Sequence, residues 1–207
     1  MSIDRRRVVL FDLFGVIARH QRPGALEKMA ARCHTSPDAF TTAYWAHRPP
    51  YDAGRHSASA YWTDVLQSLF RPADPETAEE LRLTDIDSWS RVDDDMVTYV
   101  RSLRGRARVA LLSNIPADHA DAFLAAQPWL HDLDHVAFSG KIGTAKPDPA
   151  AFRHCVDAMR TSPADFLFVD DREENVLAAE AVGMNGHLFN GQDELAAALD
   201  TWLPTAG

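Results

Sequence analysis

Cysteine is scarce: Cys33 and Cys155 are the only two in 207 residues. Two thiols so far apart in sequence form no disulfide framework and read as reduced, with Cys155 a packing residue rather than a reactive one. Long apolar runs are missing. Nothing approaches the ~20 residues of a membrane-spanning helix, and the N-terminus lacks the apolar stretch of a signal peptide. The expected setting is cytoplasmic, with no membrane partner. Basic charge is also short, 21 Lys and Arg against 30 Asp and Glu for a formal net charge of −9. Without a basic stripe, no nucleic-acid partner is expected. Arg5-Arg6-Arg7 reads as a solvated flank before the first strand. There is no internal repeat and no low-complexity tract. Zinc spacing is absent too. Of nine histidines, His131 and His135 stand four apart, but Asp132-Leu133-Asp134 between them reads as a turn, and no Cys or Glu partner stands at ligand spacing. His119, His154 and His187 read as surface or helix positions.

What is present begins with Val8-Val9-Leu10-Phe11-Asp12-Leu13-Phe14-Gly15-Val16-Ile17. An apolar run without polar alternation reads as a strand buried on both faces. It ends on an acid, and a Gly-bearing turn follows. From Gly24 to Arg91 the pattern turns helical. Ala25 to Arg32 is a short helix. Ser36-Pro37-Asp38 starts a second, with Ser36 as cap. Arg48-Pro49-Pro50-Tyr51-Asp52-Ala53-Gly54-Arg55 reads as a loop on its Pro-Pro and Gly. Ser57 caps a third helix through Tyr61, Trp62, Val65, Leu66 and Leu69, and Glu76 opens a fourth towards Trp89. Strands then alternate with helices: Val109 to Asn114, His135 to Ser139, Asp165 to Asp171 and Gly186 to Phe189. That alternation predicts an α/β fold, a parallel sheet covered on both faces, interrupted after its first strand by a helical insertion.

The carboxyl ends of parallel strands share one sheet edge, where open α/β sheets place ligands. Asp12, Ser113 with Asn114, Lys146, and Asp170 with Asp171 all lie at strand ends or in adjacent loops. A carboxylate can serve as a covalent nucleophile. Ser and Asn can hydrogen-bond an oxyanion beside it, and Lys can neutralise an anionic group. Clustered acids make sense around a hard cation; Mg²⁺ needs only one or two protein carboxylates.

Four segments carry a resemblance: Phe11 to Val16, Leu111-Leu112-Ser113-Asn114, Lys146 to Phe152, and Phe168 to Ala179 with Gly183-Met184. In this order they resemble the haloacid dehalogenase-like hydrolase superfamily over essentially the whole chain. The resemblance implies a Rossmann-like three-layer core (1–17 and 92–207) and a small α-helical cap (18–91). It also implies Asp12 as nucleophile, Ser113 and Lys146 holding the transferred group, and Mg²⁺ on Asp12, the Phe14 carbonyl and Asp171. Asp170 and Asn175 are supporting residues. The expected partner is a small anionic substrate; relatives with such a cap are monomers or homodimers.

One position departs from the pattern. Phosphatases of this superfamily carry a second Asp two residues after the nucleophile, and here Phe14 stands there. Phenylalanine transfers no proton. Three expectations follow: a Mg²⁺-dependent phosphohydrolase that is slow or acts on a good leaving group; a metal-independent 2-haloacid dehalogenase, whose relatives carry Tyr or Phe here; or a weakened domain that binds a phospho-ligand or a partner. Asp170-Asp171 and Phe152 fit the dehalogenases poorly. In the cap, Arg19, Trp45, Arg48 and Tyr51 are expected to line the substrate pocket alongside Phe14 and Asn114, with Arg48 pairing an anion.

Overall fold

The computed structural model describes residues 7–203. Arg5 and Arg6 lie outside the described residues, and the Arg7 guanidinium sits 4.6 Å over the Trp202 ring. Among the described residues five parallel strands form one sheet: β1 (Val8–Phe11), β2 (Arg108–Ser113), β3 (His135–Phe138), β4 (Phe166–Asp170) and β5 (Asn185–Leu188), in the order β3-β2-β1-β4-β5. β1 is central and buried throughout. Val9 and Phe11 face one apolar layer while Val8 and Leu10 face the other, as expected for a strand covered on both sides. The chain builds outward from β1 through β2 to β3, then returns to the other side of β1 for β4. This puts the topological switch, and so the ligand crevice, between β1 and β4.

The helical insertion follows β1. It comprises α1 (Ala25–Arg32), α2 (Pro37–Asp52), α3 (Ala58–Ser68) and α4 (Pro75–Ser88) around its own apolar cluster, including Phe40, Tyr44, Tyr61 and Trp62. The Ser36, Ser57 and Asp74 side chains accept the backbone N–H groups of Ala39, Ala60 and Thr77 at the helix starts. The two crossings back to the core run side by side. Arg19 N donates to Arg91 O at 2.9 Å and Asp93 N to Ile17 O at 2.9 Å. The core helices are α5 (Asp94–Ser102), α6 (Ala117–Ala126), α7 (Ser139–Ile142), α8 (Pro149–Met159), α9 (Glu173–Ala181) and α10 (Gln192–Trp202).

The Pro-Pro segment corrects the expectation of a loop at Arg48. α2 runs on through Pro49 and Pro50 to Asp52. Proline inside a helix costs about 3 kcal/mol. The continuation is held by what the extra turn positions: Arg48 Nε donates to Asp52 Oδ1 one turn on, at 2.7 Å, and Tyr51 is buried against Tyr61, ring centroids 4.4 Å apart. The turn arrives at Ala53 and Gly54 instead. A Cβ on Gly54 would stand 2.3 Å from Gly140 O, and its φ is +68°, so glycine lets this corner of the cap touch the core backbone. The segment after β3 opens with the short helix α7, and the last strand begins at Asn185, one residue earlier than the pattern placed it.

Candidate active site

Asp12 follows β1 directly, and Asp170 is the last residue of the adjacent β4. Lys146 comes from the loop before α8. Its Nζ lies 2.7 Å from Asp12 Oδ1 and 2.6 Å from Asp170 Oδ2. All three are buried. Asp170 is further bound by Asn175 Nδ2, 3.1 Å from each carboxylate oxygen, and by Arg172 N at 2.9 Å. Its lone pairs are thus committed to fixing Lys146, Asn175 and the start of α9. Asn114 holds the lysine from the other side. Its Nδ2 donates to Lys146 O and its Oδ1 accepts Lys146 N, both at 2.8 Å. It lines the cavity, but its amide is engaged in keeping the lysine backbone in place.

Among the described residues, two buried polar atoms beside this cluster have no hydrogen-bond partner, Ser113 Oγ and Asp171 Oδ1. A buried unpaired polar atom costs about 1–3 kcal/mol, so groups aimed at a ligand are where such a cost is tolerated. Asp12, Asp170 and Asp171 each offer an oxygen within 4.8 Å of the others. With Asp170 engaged, Asp12 and Asp171 are the carboxylates free to hold a cation. The electrostatics agree. Burial pushes the Asp12 carboxyl up to about 7, against the pull of Lys146 and with a further push from Asp170. Burial and then Asp170 raise Asp171 as well. Lys146 is raised despite its burial, because Asp12 and Asp170 flank it. Three acids against one ammonium leave the site short of positive charge, and a divalent cation would restore the ionised Asp12. The donor set therefore fits Mg²⁺.

Gly15 keeps the site open. A Cβ there would lie 2.2 Å from Asp171 Oδ2 and 2.8 Å from His20 Cε1, and its φ is +90°. His20 Nε2 stands 3.2 Å from Asp171 Oδ2.

These groups open into a cavity of about 400 Å³ whose lining includes Asp12, Phe14, Ser113, Asn114, Lys146, Asp171 and Asn175 from the core, and Trp45 and Arg48 from the cap. Two expected cap contacts are elsewhere. Arg19 is not in the cavity lining and pairs with Asp93 at 3.0 Å. Tyr51 is buried, its hydroxyl donating to Asp118 Oδ1 on α6 at 2.6 Å. Five further lining residues come from outside the expected set: His20, Gln21, Asp52, Trp89 and Arg172. His20 and Gln21 stand in the loop between β1 and α1. Trp89 stood at the end of a predicted helix and carried no signal.

Arg48 reaches the cavity wall but is not free to clamp an anion. Its guanidinium donates to Asp52 Oδ1 at 2.7 Å, to Asp85 Oδ2 at 2.9 Å and to the Tyr44 hydroxyl. Tyr44 in turn donates to Asp85 Oδ1 at 2.7 Å. His119, on α6 as a helix position should be, is buried rather than at the surface, with Nε2 3.2 Å from Asp85 Oδ2. Asp118, the residue before it, also takes Arg82 of α4 at 3.1 Å, and Ser139 Oγ donates to Asp52 O at 2.5 Å. A mostly buried polar network thus seats the cap on α6 and α7.

Burial works against the charge on Asp85, but Arg48, His119 and the Tyr44 hydroxyl outweigh it and hold the carboxyl at about 2. A depressed acid stabilises the fold above its unfolded value of 3.8, and that contribution is lost as pH falls through the folded value. Between about pH 4 and pH 2 the unfolding free energy should drop by about 2 kcal/mol through this group. Denaturant titrations across that range measure the drop. An equally steep fall in Asp85→Asn would assign it to other acids.

A protein-family model described as haloacid dehalogenase-like hydrolase matches residues 6–183. A phosphatase of Mycobacterium tuberculosis is 42% identical over 132 residues, 62% of this chain and 61% of that protein. A sesquiterpene phosphatase of Aspergillus oryzae is 38% identical over 113 residues, 53% of this chain and 56% of that one. The matched segment spans less than two thirds of either relative. Among solved structures, a family enzyme from Bacteroides thetaiotaomicron in complex with magnesium and inorganic phosphate superposes with a TM-score of 0.74 at 18% identity, covering 93% of this chain and 97% of that one.

Proposed function

The chain belongs to the haloacid dehalogenase-like hydrolases, and on that premise we propose that it is a Mg²⁺-dependent phosphohydrolase acting on a small phosphorylated compound whose leaving group departs without a proton. The observation that carries the reading is the cluster itself: Lys146 between two buried carboxylates, with Ser113 Oγ and Asp171 Oδ1 unpartnered beside it. The relatives with phosphatase activity and the neighbour that holds magnesium and phosphate support the same direction.

In the proposed reaction an Asp12 oxygen attacks phosphorus. The new O–P bond forms as the bond to the leaving group breaks, and the electron pair goes with that group. Ser113 donates to a phosphoryl oxygen, and Lys146 balances charge on the phosphoryl group and orients Asp12. Asn114 and Asp170 keep Lys146 in position. Mg²⁺, held by Asp12, Asp171 and the Phe14 carbonyl, would neutralise the phosphoryl group. Water then attacks phosphorus of the aspartyl phosphate, returning the Asp12 carboxylate and inorganic phosphate. No acid stands at residue 14 to protonate an alkoxide, so acyl phosphates and anhydrides, whose leaving groups depart as stable anions, are the favoured class.

Phe14 favours a second reading, halide displacement from a 2-haloacid, since halide also leaves unprotonated. Asp171 weighs against it, because its unpartnered carboxylate oxygen beside Asp12 has no role in a metal-free displacement. Phosphate release from acetyl phosphate is expected to require Mg²⁺, to stop in EDTA, and to fall to the detection limit in Asp12→Asn. Halide release from 2-chloropropionate in EDTA, with no phosphate released from any ester or anhydride, would reverse the assignment.

A further inference from the structure

We propose that the cleft between α4 and α6 seats an apolar chain carried by the leaving group of the substrate, an inference that rests on the phosphohydrolase reading above. The cleft holds about 230 Å³ and is lined chiefly by Leu83 and Ile86 of α4, Ile115 after β2, and Ala122, Phe123 and Ala126 of α6. Its volume exceeds the roughly 150 Å³ of an apolar cavity that takes up benzene.

Two aromatic residues are shared between it and the candidate active site. Phe14 and Trp89 line both this cleft and the cavity containing Asp12. The Phe14 ring packs edge-on against Trp89, centroids 4.9 Å apart, and against Phe123, 5.9 Å apart. The leaving group must extend away from Asp12, and a chain that does so past Phe14 meets ring faces and then the cleft. The residue in the family's acid position thus forms an apolar threshold.

The cleft exists because of which side chains α6 presents. Ala122 and Ala126 lie one turn apart and offer only methyl groups towards α4, leaving Leu83 52% exposed. The polar groups at its margin are three, and each faces a neighbouring residue. Asp87 faces Arg22 at 3.7 Å, Ser90 Oγ donates to Asp87 O at 2.7 Å, and His119 faces Asp85 at 3.2 Å. Eight of the eleven lining residues are apolar and none is Lys or Arg, and each buried methylene strengthens binding roughly fourfold.

Calorimetric titration of the Mg²⁺-supplied chain with methylphosphonate and with decylphosphonate, below the micelle concentration, tests the proposal. Decylphosphonate is expected to bind at least tenfold more tightly. Ala122→Phe and Ala126→Leu, which fill the cleft away from Asp12, should each cut that advantage below threefold and leave methylphosphonate unchanged. Equal affinities in the parent chain, or a full advantage retained in both folded variants, overturns the subsite. The measurement needs no turnover. A chain-length preference without any phosphate release would remove the phosphohydrolase reading and leave the subsite standing. Phosphate release at the same kcat/KM from short and long substrates would remove the subsite alone.

Discussion

Phe14→Asp is expected to raise turnover of an ordinary alkyl phosphate by about a hundred- to ten-thousand-fold, the range that a positioned general acid–base supplies. Phe14, two residues beyond Asp12, lines the cavity, as do Ser113, Lys146 and Asp171, the other residues of the proposed phosphoryl cradle. A carboxyl there serves both half-reactions, protonating the departing alkoxide and then taking a proton from water as it attacks the aspartyl phosphate. Alkyl phosphates should gain most, because their leaving group needs the proton. Acetyl phosphate should gain only in the second half-reaction, so the ratio of the two rates should narrow. The substitution has a structural cost. The ring is half-buried on Trp89 and Phe123, and losing it forfeits about 2 kcal/mol of packing. The measurement is therefore kcat at saturating substrate on protein shown to be folded by circular dichroism. An unchanged kcat for alkyl phosphates would mean that proton transfer is not the step this site lacks.

The core of the site was legible because topology does the work of assembly. In a parallel sheet every carboxyl end lies on one edge, so Asp12 and Asp170 on adjacent strands had to come together whatever the details of the helices. Lys146 and Ser113 were placed by the same rule. The cap offered no such rule. Its helices show apolar spacing, but which polar side chain turns towards the cavity depends on how four helices pack. Arg48 and Tyr51 carried the right chemistry for a pocket and are instead bound to Asp85, Asp52 and Asp118. Trp89 carried no signal and lines the cavity. The Pro-Pro pair misled for a related reason. Local propensity is worth about 3 kcal/mol per proline, and the tertiary partners of Arg48 and Tyr51 outweigh it.

Those same partners set the largest stability effect expected from a single change in the cap. Arg48→Ala should lower the unfolding free energy by about 3–5 kcal/mol, the cost of leaving a buried charge without its partner. Asp85 is fully buried, while Asp52 lines the cavity with its side chain 19% exposed, and Asp85 cannot turn to water without opening the cap. Lysine is no substitute. The guanidinium serves Asp52 through Nε while serving Asp85 and Tyr44 through Nη1, and a single ammonium cannot occupy both positions. Arg48→Lys should therefore recover only part of the loss. Removing charge from both sides tells repulsion from packing: Arg48→Met combined with Asp85→Leu should be less destabilised than Arg48→Ala, because apolar groups of similar volume replace a buried ion pair at little cost. Guanidinium chloride titrations of the three variants decide this. If Arg48→Ala costs less than about 1 kcal/mol, as surface ion pairs do, the network does not hold the cap. Arg48 would then be free for the anion-clamping role that its position on the cavity wall invites. A structural Arg48 instead shifts KM only as far as the cap itself loosens, so KM and the denaturation midpoint should move together across the series.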